Sequence, residues 1–479
     1  MKDRIIRYAL WVIVSVVIWM TYSHQLWLDE HVFRAMGQML HDGSGEIYRD
    51  LFDHKGPVVY LLYAMYEINP LIECVLFLLA FSVTLECIWL SARLLTRSMA
   101  PSAVIVAVTC VYLCTTMFIH RTEMMALPFN FLAFYLMVRA LTRDSTLTRL
   151  QLVVLGVCLG ISSMTRLNNC PTVAAVILYV AIWQWVSQGP RKALAVVGWS
   201  ALGCAAIWLP IAVYFMYHGT FDDMIYCTVY HNVLYKNRWV VLANKDIFGW
   251  IGSMLFRLPI WICIFMSVVL IVLRKRRIGL FGLTLSVVMF IAIGTGTGYF
   301  HYYMNLAPAV TLALSACFML PVKKIISWLG LALLTVILLY FPCKKSFIGG
   351  HNIHEGRPEE LPQFPRYAQR AVSLIDSVIP EAERDSILFF EPTNHALYAM
   401  HELHITPYHR LFYMNWLHMS INEELQGEVD RMLESNPPRW IVTCKPLSKP
   451  HFMDVEQYEY QSVAEDSVGK SDVTILRRL

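Results

Sequence analysis

Charge is scarce in this chain: Asp, Glu, Lys and Arg make up 15% of its 479 residues, against 57% hydrophobic. A soluble globular surface normally draws on about a quarter of the residues for charge. An ordinary soluble enzyme is therefore excluded, and the mean hydropathy of +0.50 agrees. A strong excess of one sign is also missing. With 39 Lys and Arg against 35 Asp and Glu the net charge is only +4, which offers nothing to nucleic acid. There are twelve cysteines but no CxxC pair. Most of them (Cys87, Cys110, Cys114, Cys158, Cys204, Cys263, Cys317) fall inside apolar runs, where they act as small hydrophobes and not as a metal set or a disulfide framework. Cys343 and Cys444 could meet outside the membrane, a pairing the sequence leaves open. Internal repeats and low-complexity tracts are absent too. Lys2, Arg4 and Arg7 precede the first apolar run as in a signal peptide, yet no small-x-small cleavage site follows, so the run reads as a retained anchor.

What the chain does have is long apolar runs. Scanning for runs of about 17 to 25 residues gives roughly eleven spanning helices. They are Ile5 to Thr21, Leu71 to Leu90, Ala103 to Ile119, Met124 to Val138, Leu150 to Met164, Pro171 to Val186, Leu194 to Tyr217, Ile247 to Leu273, Ile278 to Ile293, Tyr303 to Leu320 and Ile325 to Phe341. Lys and Arg clusters then fall in every second connection: Lys2 to Arg7, Arg93 and Arg97, Arg139 to Arg149, Arg191 and Lys192, Arg274 to Arg277, and Lys323 and Lys324. By the positive-inside rule those connections and the N-terminus are cytoplasmic, and the C-terminus is outside. The longer polar and aromatic loops collect on the outer face, so the protein is expected to work there.

Composition changes after Pro342. Arg366 to Val378 and Glu423 to Glu434 have a helical period, and Ser386 to Phe390 and Trp440 to Thr443 read as strands. Gln457 to Ala464 and Val473 to Arg477 read as a hairpin turning near Gly469. The expected fold class is a polytopic α-helical membrane protein. Residues 1–341 would form the transmembrane domain, with outer loop 24–57, and 342–479 a small extracytoplasmic α/β domain.

Candidate chemistry centres on the loop from Trp27 to Pro57. Asp29 and Glu30 follow the anchor directly, and Asp53, His54 and Lys55 precede a Gly56-Pro57 break. Pro57 suits the first position of a helix, so its exposed N–H groups and the Lys55 ammonium form an anion site, with His54 as a further donor. The bland alternatives are solvated acids at a helix end and a lysine snorkelling toward headgroups. On the same face His120-Arg121-Thr122-Glu123 joins two spans almost without a loop. There Glu123 either caps its helix or works, and Arg121 either works or anchors to lipid phosphate. Arg166 with Asn168 and Asn169 can hold a phosphate bidentately. Tyr230, His231, Tyr235, Lys236, Arg238 and Trp239 form an aromatic, basic stretch best read as an interfacial anchor. Gly294 to Tyr303 is a glycine-rich bend ending in His301 and Tyr302; it lacks the strand and lysine of a nucleotide loop. Glu86 and Arg257 lie within spans and are read as structural, pairing with each other or bonding across helices.

Taken together these segments resemble the multispanning glycosyltransferases of the GT-C fold, notably the branch with protein O-mannosyltransferases and lipid A aminoarabinose transferases. The similar pieces are Asp29-Glu30 after the first span, Tyr48 to Pro57, Arg121-x-Glu123, Thr165 to Asn168, and His301 to Tyr303. The resemblance implies transfer of a sugar, with inversion, from a polyprenyl-phosphate donor to a glycan, lipid or protein acceptor on the outer side of a bacterial cytoplasmic membrane. It implies Asp29, seconded by Glu30, as the catalytic base and Lys55 on the donor phosphate, where the reading of the residues adds His54 and Arg166. Asp53, Arg121, Glu123, His301 and Tyr302 would hold sugar or acceptor. Membrane lipids are expected partners and nucleic acid is not. No cofactor is implied, and a divalent metal is left open. The competing class is a multispanning transporter or flippase of a lipid-linked or small polar substrate, but inverted halves and paired broken helices at midplane are missing. A non-catalytic receptor using the outer domain is a third class, which would show no transfer at all.

Overall fold

The computed structural model describes residues 2–23, 28–116, 121–234, 257–294, 300–343, 364–389, 399–400, 402–405, 408–411, 422–443, 459–468 and 471–479. Trp27, His120, residues 235–256, the centre of the glycine-rich bend, Cys444 and the turn at Gly469 lie outside them.

Apolar helices dominate. They begin with α1 (Lys2–Tyr22), followed by the short helices α2 (Leu28–Asp42) and α3 (Pro57–Ile68). Then come α4 (Leu71–Thr96), α5 (Met99–Thr116), α6 (Thr122–Thr142), α7 (Arg149–Thr165), α8 (Pro171–Gln188) and α9 (Pro190–Tyr217). After the short α10 (Phe221–Ile225) follow α11 (Leu258–Val272), α12 (Arg276–Gly294), α13 (Ala307–Ala316) and α14 (Lys324–Cys343). Among the described residues, six helices are long and apolar enough by themselves to cross a membrane. The chain is an integral membrane protein.

Local chemistry sets several of the ends. Thr148 accepts from the Gln151 N–H and the Gln151 side chain accepts from the Thr148 N–H, a capping box that starts α7. Proline opens α3, α8 and α9, where its missing N–H costs nothing. The close packing of α7 on α9 runs through Gly156 and Gly203. A Cβ on the first would stand 1.9 Å from Ser200 O and one on the second 2.0 Å from Val153 O, so only glycine lets these backbones meet.

The structure differs from the sequence reading of the elements in two places. The outer loop carries a helix, α2, whose Val32, Phe33, Met36 and Met39 recur at helical spacing and are buried. The expected span Tyr303 to Leu320 is instead a seven-residue 3-10 stretch, Phe300–Leu306, running into the ten-residue α13, which starts at the proline-bearing Ala307-Pro308 step and is buried along its whole length. Of the two roles read for Glu86, the bond across helices is the one present, and the pair with Arg257 is not. Because α1 packs along α4, Glu86 takes Arg7 at 2.7 Å and the Trp11 indole N–H at 2.8 Å, while the Arg257 guanidinium lies 5.6 Å above the Phe290 ring.

Beyond the membrane helices lie α15 (Phe364–Val378), β1 (Ile387–Phe389), α16 (Glu423–Ser435), β2 (Trp440–Thr443), β3 (Tyr460–Val468) and β4 (Ser471–Arg478). The four strands form one sheet in the order β1-β2-β4-β3. β1 pairs parallel to β2, with Leu388 opposite Ile441, and the other pairs are antiparallel, with a bulge at Ser462 to Ala464. Parallel β1 and β2 need a crossover, and α16 lies within it. The hydrophobic core is in two parts. One is made by the apolar helices, and the other joins α2, α3 and the end of α9 to α15, α16 and the sheet. Backbone contact reinforces the second, since the Phe52 N–H donates to Arg410 O at 2.6 Å.

Candidate active site

The second core holds the connection between α2 and α3 against the ends of α6 and α7. Asp29 sits in the first turn of α2 and Lys55 just ahead of α3. Lys55 Nζ stands 3.5 Å from Asp29 Oδ2 and 3.4 Å from Asp53 Oδ1. Arg121, which opens α6, brings Nη1 to within 3.6 Å of the same Asp29 oxygen. Two carboxylates are thus bridged by the chain's own ammonium, and no group of three His, Cys, Asp or Glu able to hold a metal occurs among the described residues.

Asp53 is fixed from all sides. Tyr60 donates its hydroxyl to Oδ2 at 2.8 Å, the His54 backbone N–H donates to Oδ1 at 2.7 Å, and His54 Nδ1 lies 3.1 Å from that oxygen. Burial works to raise the Asp53 carboxyl, but Lys55 and His54 outweigh it and hold it far below the usual carboxylate range. Burial and the Lys55 charge push His54 down to about 4, so its ring is neutral at pH 7. Asp29 is balanced in the same way: desolvation pushes it up, and Lys55 and Arg121 bring it below the usual range. Burial lowers Arg121, although Asp29 and Glu123 oppose this.

A second group adjoins the first. Arg166 follows α7 and donates from Nη2 to the Tyr302 hydroxyl at 2.8 Å, with its guanidinium 5.1 Å over that ring. Glu123 Oε1 lies 3.7 Å from Arg166 Nη1 and 3.8 Å from His301 Nε2. Three cations, Lys55, Arg121 and Arg166, therefore face three carboxylates, Asp29, Asp53 and Glu123. Among these acids Asp29 is the accessible one, with 34% of its side chain exposed against 1% for Asp53 and for Glu123. Part of the Asp29 side chain is thus open to a substrate, while Asp53 and Glu123 are enclosed.

Gly56 ties the two groups together. Its N–H donates to Thr165 O at 3.0 Å, and a Cβ there would stand 2.0 Å from Met164 O. The start of α3, read from the sequence as a set of exposed N–H donors, is consequently buried against the end of α7. Three other sequence readings change. Glu30 is committed to Arg34 at 2.7 Å, one turn along α2. Asn169 donates its amide to Thr165 Oγ1 at 3.0 Å and so turns inward, away from any phosphate. His231, read as part of an interfacial anchor, is buried with its ring 5.9 Å from that of His54 and 5.1 Å from that of Phe52. Burial and His54 press it down to about 3.

Tyr48, Tyr60 and Asn232 escaped the sequence reading. Tyr48 donates to Lys55 O at 2.8 Å and Asn232 to His54 O at 2.7 Å, so both shape the lysine-bearing turn. Tyr60 could have been found, because it lies in the first turn of α3 beside the loop acids. Asn232 had no local signal. A separate cavity of about 400 Å3 opens nearby, lined by Met39, Arg49, Asp50, Tyr408, His409 and Arg410. Its arginines are already engaged, Arg49 by Asp50 and Arg410 by Glu428.

No family model and no curated protein matches this sequence. Among solved structures, ArnT from Cupriavidus metallidurans bound to undecaprenyl phosphate superposes with a TM-score of 0.57 at 13% identity, covering 98% of this chain and 97% of that one. The apo form of the same protein gives 0.55 at 12% identity, with the same coverage. Identity this low speaks for the fold alone, but the likeness runs from end to end. The fold of this chain is therefore that of the two ArnT structures, in accord with the GT-C fold that the order of its spans and motifs resembles.

Proposed function

We propose that this protein is a membrane glycosyltransferase that moves a sugar from a polyprenyl-phosphate carrier to an acceptor on the extracytoplasmic face, with inversion. The observation that carries the reading is the accessible Asp29 carboxylate, 3.5 Å from the buried Lys55 ammonium, within the fold of a protein whose solved form holds undecaprenyl phosphate. In the reaction the Asp29 carboxylate accepts the acceptor's O–H proton as that oxygen bonds to the anomeric carbon. The bond from that carbon to the phosphate oxygen breaks, and the electron pair leaves with the polyprenyl phosphate. Lys55 and Arg166 stabilise the charge that develops there. An arriving phosphate competes with Asp29 for Lys55 and Arg121. Donor binding thus releases the carboxylate from the cations that keep it a weak base.

Asp53, Tyr60 and neutral His54 hold Lys55 in place, and the pair with Arg34 supports a holding role for Glu30 in α2. Glu123, His301 and Tyr302 fix Arg166 and border the space for sugar or acceptor. The same reading takes about eleven spans within residues 1–341, an outer α/β domain over 342–479, a cytoplasmic N-terminus and a bacterial cytoplasmic membrane as the site of action.

The test is transfer in proteoliposomes from a labelled polyprenyl-phosphate sugar to extracted envelope acceptors. Donor-dependent product of inverted anomeric configuration is expected, lost in Asp29→Asn and Lys55→Ala. Movement of the intact donor across the bilayer without transfer would instead establish a flippase and overturn the reading.

A further inference from the structure

Behind the ion groups lies a second polar cluster with no charge in it. Asn130, Asn169 and Asn305 are all buried, on α6, on the 3-10 turn Leu167–Asn169, and on the 3-10 stretch Phe300–Leu306. Asn130 Nδ2 donates to Asn305 Oδ1 at 3.0 Å and to Asn169 O at 3.2 Å. Asn305 Nδ2 donates to Asn168 O at 3.2 Å and to Asn169 Oδ1 at 3.3 Å. Thr172, in the first turn of α8, donates to Asn305 O at 3.0 Å. The three amides thus form one interlocked ring among three separate chain segments.

Each of those segments carries a member of the Arg166 group. Glu123 lies seven residues before Asn130 on α6, two helical turns away on the same face. Arg166 stands directly before the turn that ends in Asn169, and Tyr302 lies three residues before Asn305 on one 3-10 stretch, the period of that helix. Buried polar side chains among membrane helices are costly, and apolar residues would pack this region without them. Amide bonds add direction, which apolar packing lacks. They fix how far the three segments stand apart and how each is turned.

We infer that Asn130, Asn169 and Asn305 are positioning residues that set the Arg166 guanidinium against Tyr302 and Glu123, so that it meets the carrier phosphate already oriented. None of the three touches the phosphate; each acts through Arg166. This rests on the proposed carrier-dependent transfer.

The experiment is a double-mutant cycle on the purified full-length protein, with undecaprenyl phosphate as the probe and thermal unfolding measured alongside. Asn305→Leu keeps the branched shape and the number of heavy atoms but removes every hydrogen bond of the side-chain amide at that position. Its expected effect is affinity about tenfold weaker, and in an Arg166→Ala background it should weaken binding no further. Asn130→Ser, a milder change that leaves the bonds from Asn305 to the 168–169 turn intact, should weaken binding about threefold, again only while Arg166 is present. A separate readout is KM for the donor, which should rise more than kcat falls. Undiminished affinity in a folded variant, or equal losses with and without Arg166, would overturn the inference while leaving the proposed function standing. If the unaltered protein fails to bind undecaprenyl phosphate, both fall together.

Discussion

At the scale of single residues the site is a matter of which acid a substrate can touch. Asp29, Asp53 and Glu123 share a cluster, and only Asp29 is open. Asp29→Asn should reduce kcat by about 10²- to 10⁴-fold while donor affinity stays the same or tightens, because a competitor for Lys55 loses its charge; product formation and donor binding read the two effects separately. The Asp29 carboxyl is held below its ordinary value of 3.8 in the free protein, so the acid limb of kcat/KM should lie below that pH. If a bound carrier phosphate takes over Lys55 and Arg121, as proposed, the acid limb of kcat should lie at higher pH than that of kcat/KM. Paired pH profiles settle this, and coincident limbs would mean that Asp29 and the phosphate do not share these cations. Gly56 makes a different demand. Gly56→Ala forces a Cβ onto Met164 O and should destabilise the protein by about 1–3 kcal/mol. Gly56→Pro should cost about 1 kcal/mol more, through the lost bond to Thr165 O. Thermal unfolding in detergent distinguishes them.

At the scale of elements, histidines join the lysine-bearing turn to the start of α16. His54 packs toward His231, and the Asn422 amide that starts α16 lies 3.4 Å from His231 Nδ1. Both rings are neutral in the folded protein, with His54 at about 4 and His231 at about 3, while in the unfolded chain each would titrate near 6.5. Below 6.5 the unfolded state therefore binds more protons, and stability rises with pH across this range and is lost as pH falls through it. The melting temperature should drop as pH is lowered from 6.5 toward 4, and His231→Gln should flatten that slope. A slope unchanged by the substitution would remove His231 from the account. The buried ion pair of Asp53 runs the other way in chemistry but not in sign. Its carboxyl is depressed when folded, so its contribution is present above 3.8 and is lost only under stronger acid.

At the scale of the whole molecule, the C-terminal elements share the second core with α2, α3 and the end of α9, so the site is built at the seam and belongs to neither part alone. Helix α1 has the smallest buried share of the six candidate spans and is held to α4 by Arg7, Trp11 and Glu86, with Ser15 Oγ 3.1 Å from Ser82 Oγ. A Ser15→Cys, Ser82→Cys pair should cross-link efficiently, and Glu86→Ala should reduce that yield several-fold by freeing α1. Reporters fused before residue 2 and after residue 479 should be found on opposite sides of the membrane; both on one side would refute the proposed topology.

Membrane helices are legible in sequence because a bilayer requires long apolar runs whatever their neighbours. The same local logic exposed Pro57 as a helix start and the strands at Ile387 and Trp440. The pairing of acid with cation was harder. Asp29 and Lys55 could be suspected from their loop, but their meeting needed α2 to fold back against α3. That α2 is a helix was readable in its Val32, Phe33, Met36 and Met39 spacing, though the shortness of its apolar face concealed it. Tertiary structure alone decided that His231 is buried and that three distant asparagines close a ring. Such contacts join residues far apart in sequence, Asn130 and Asn305 by 175 positions, and their geometry depends on how whole helices pack. Composition and period record what each segment needs from solvent; only the folded chain determines which segment supplies its neighbour.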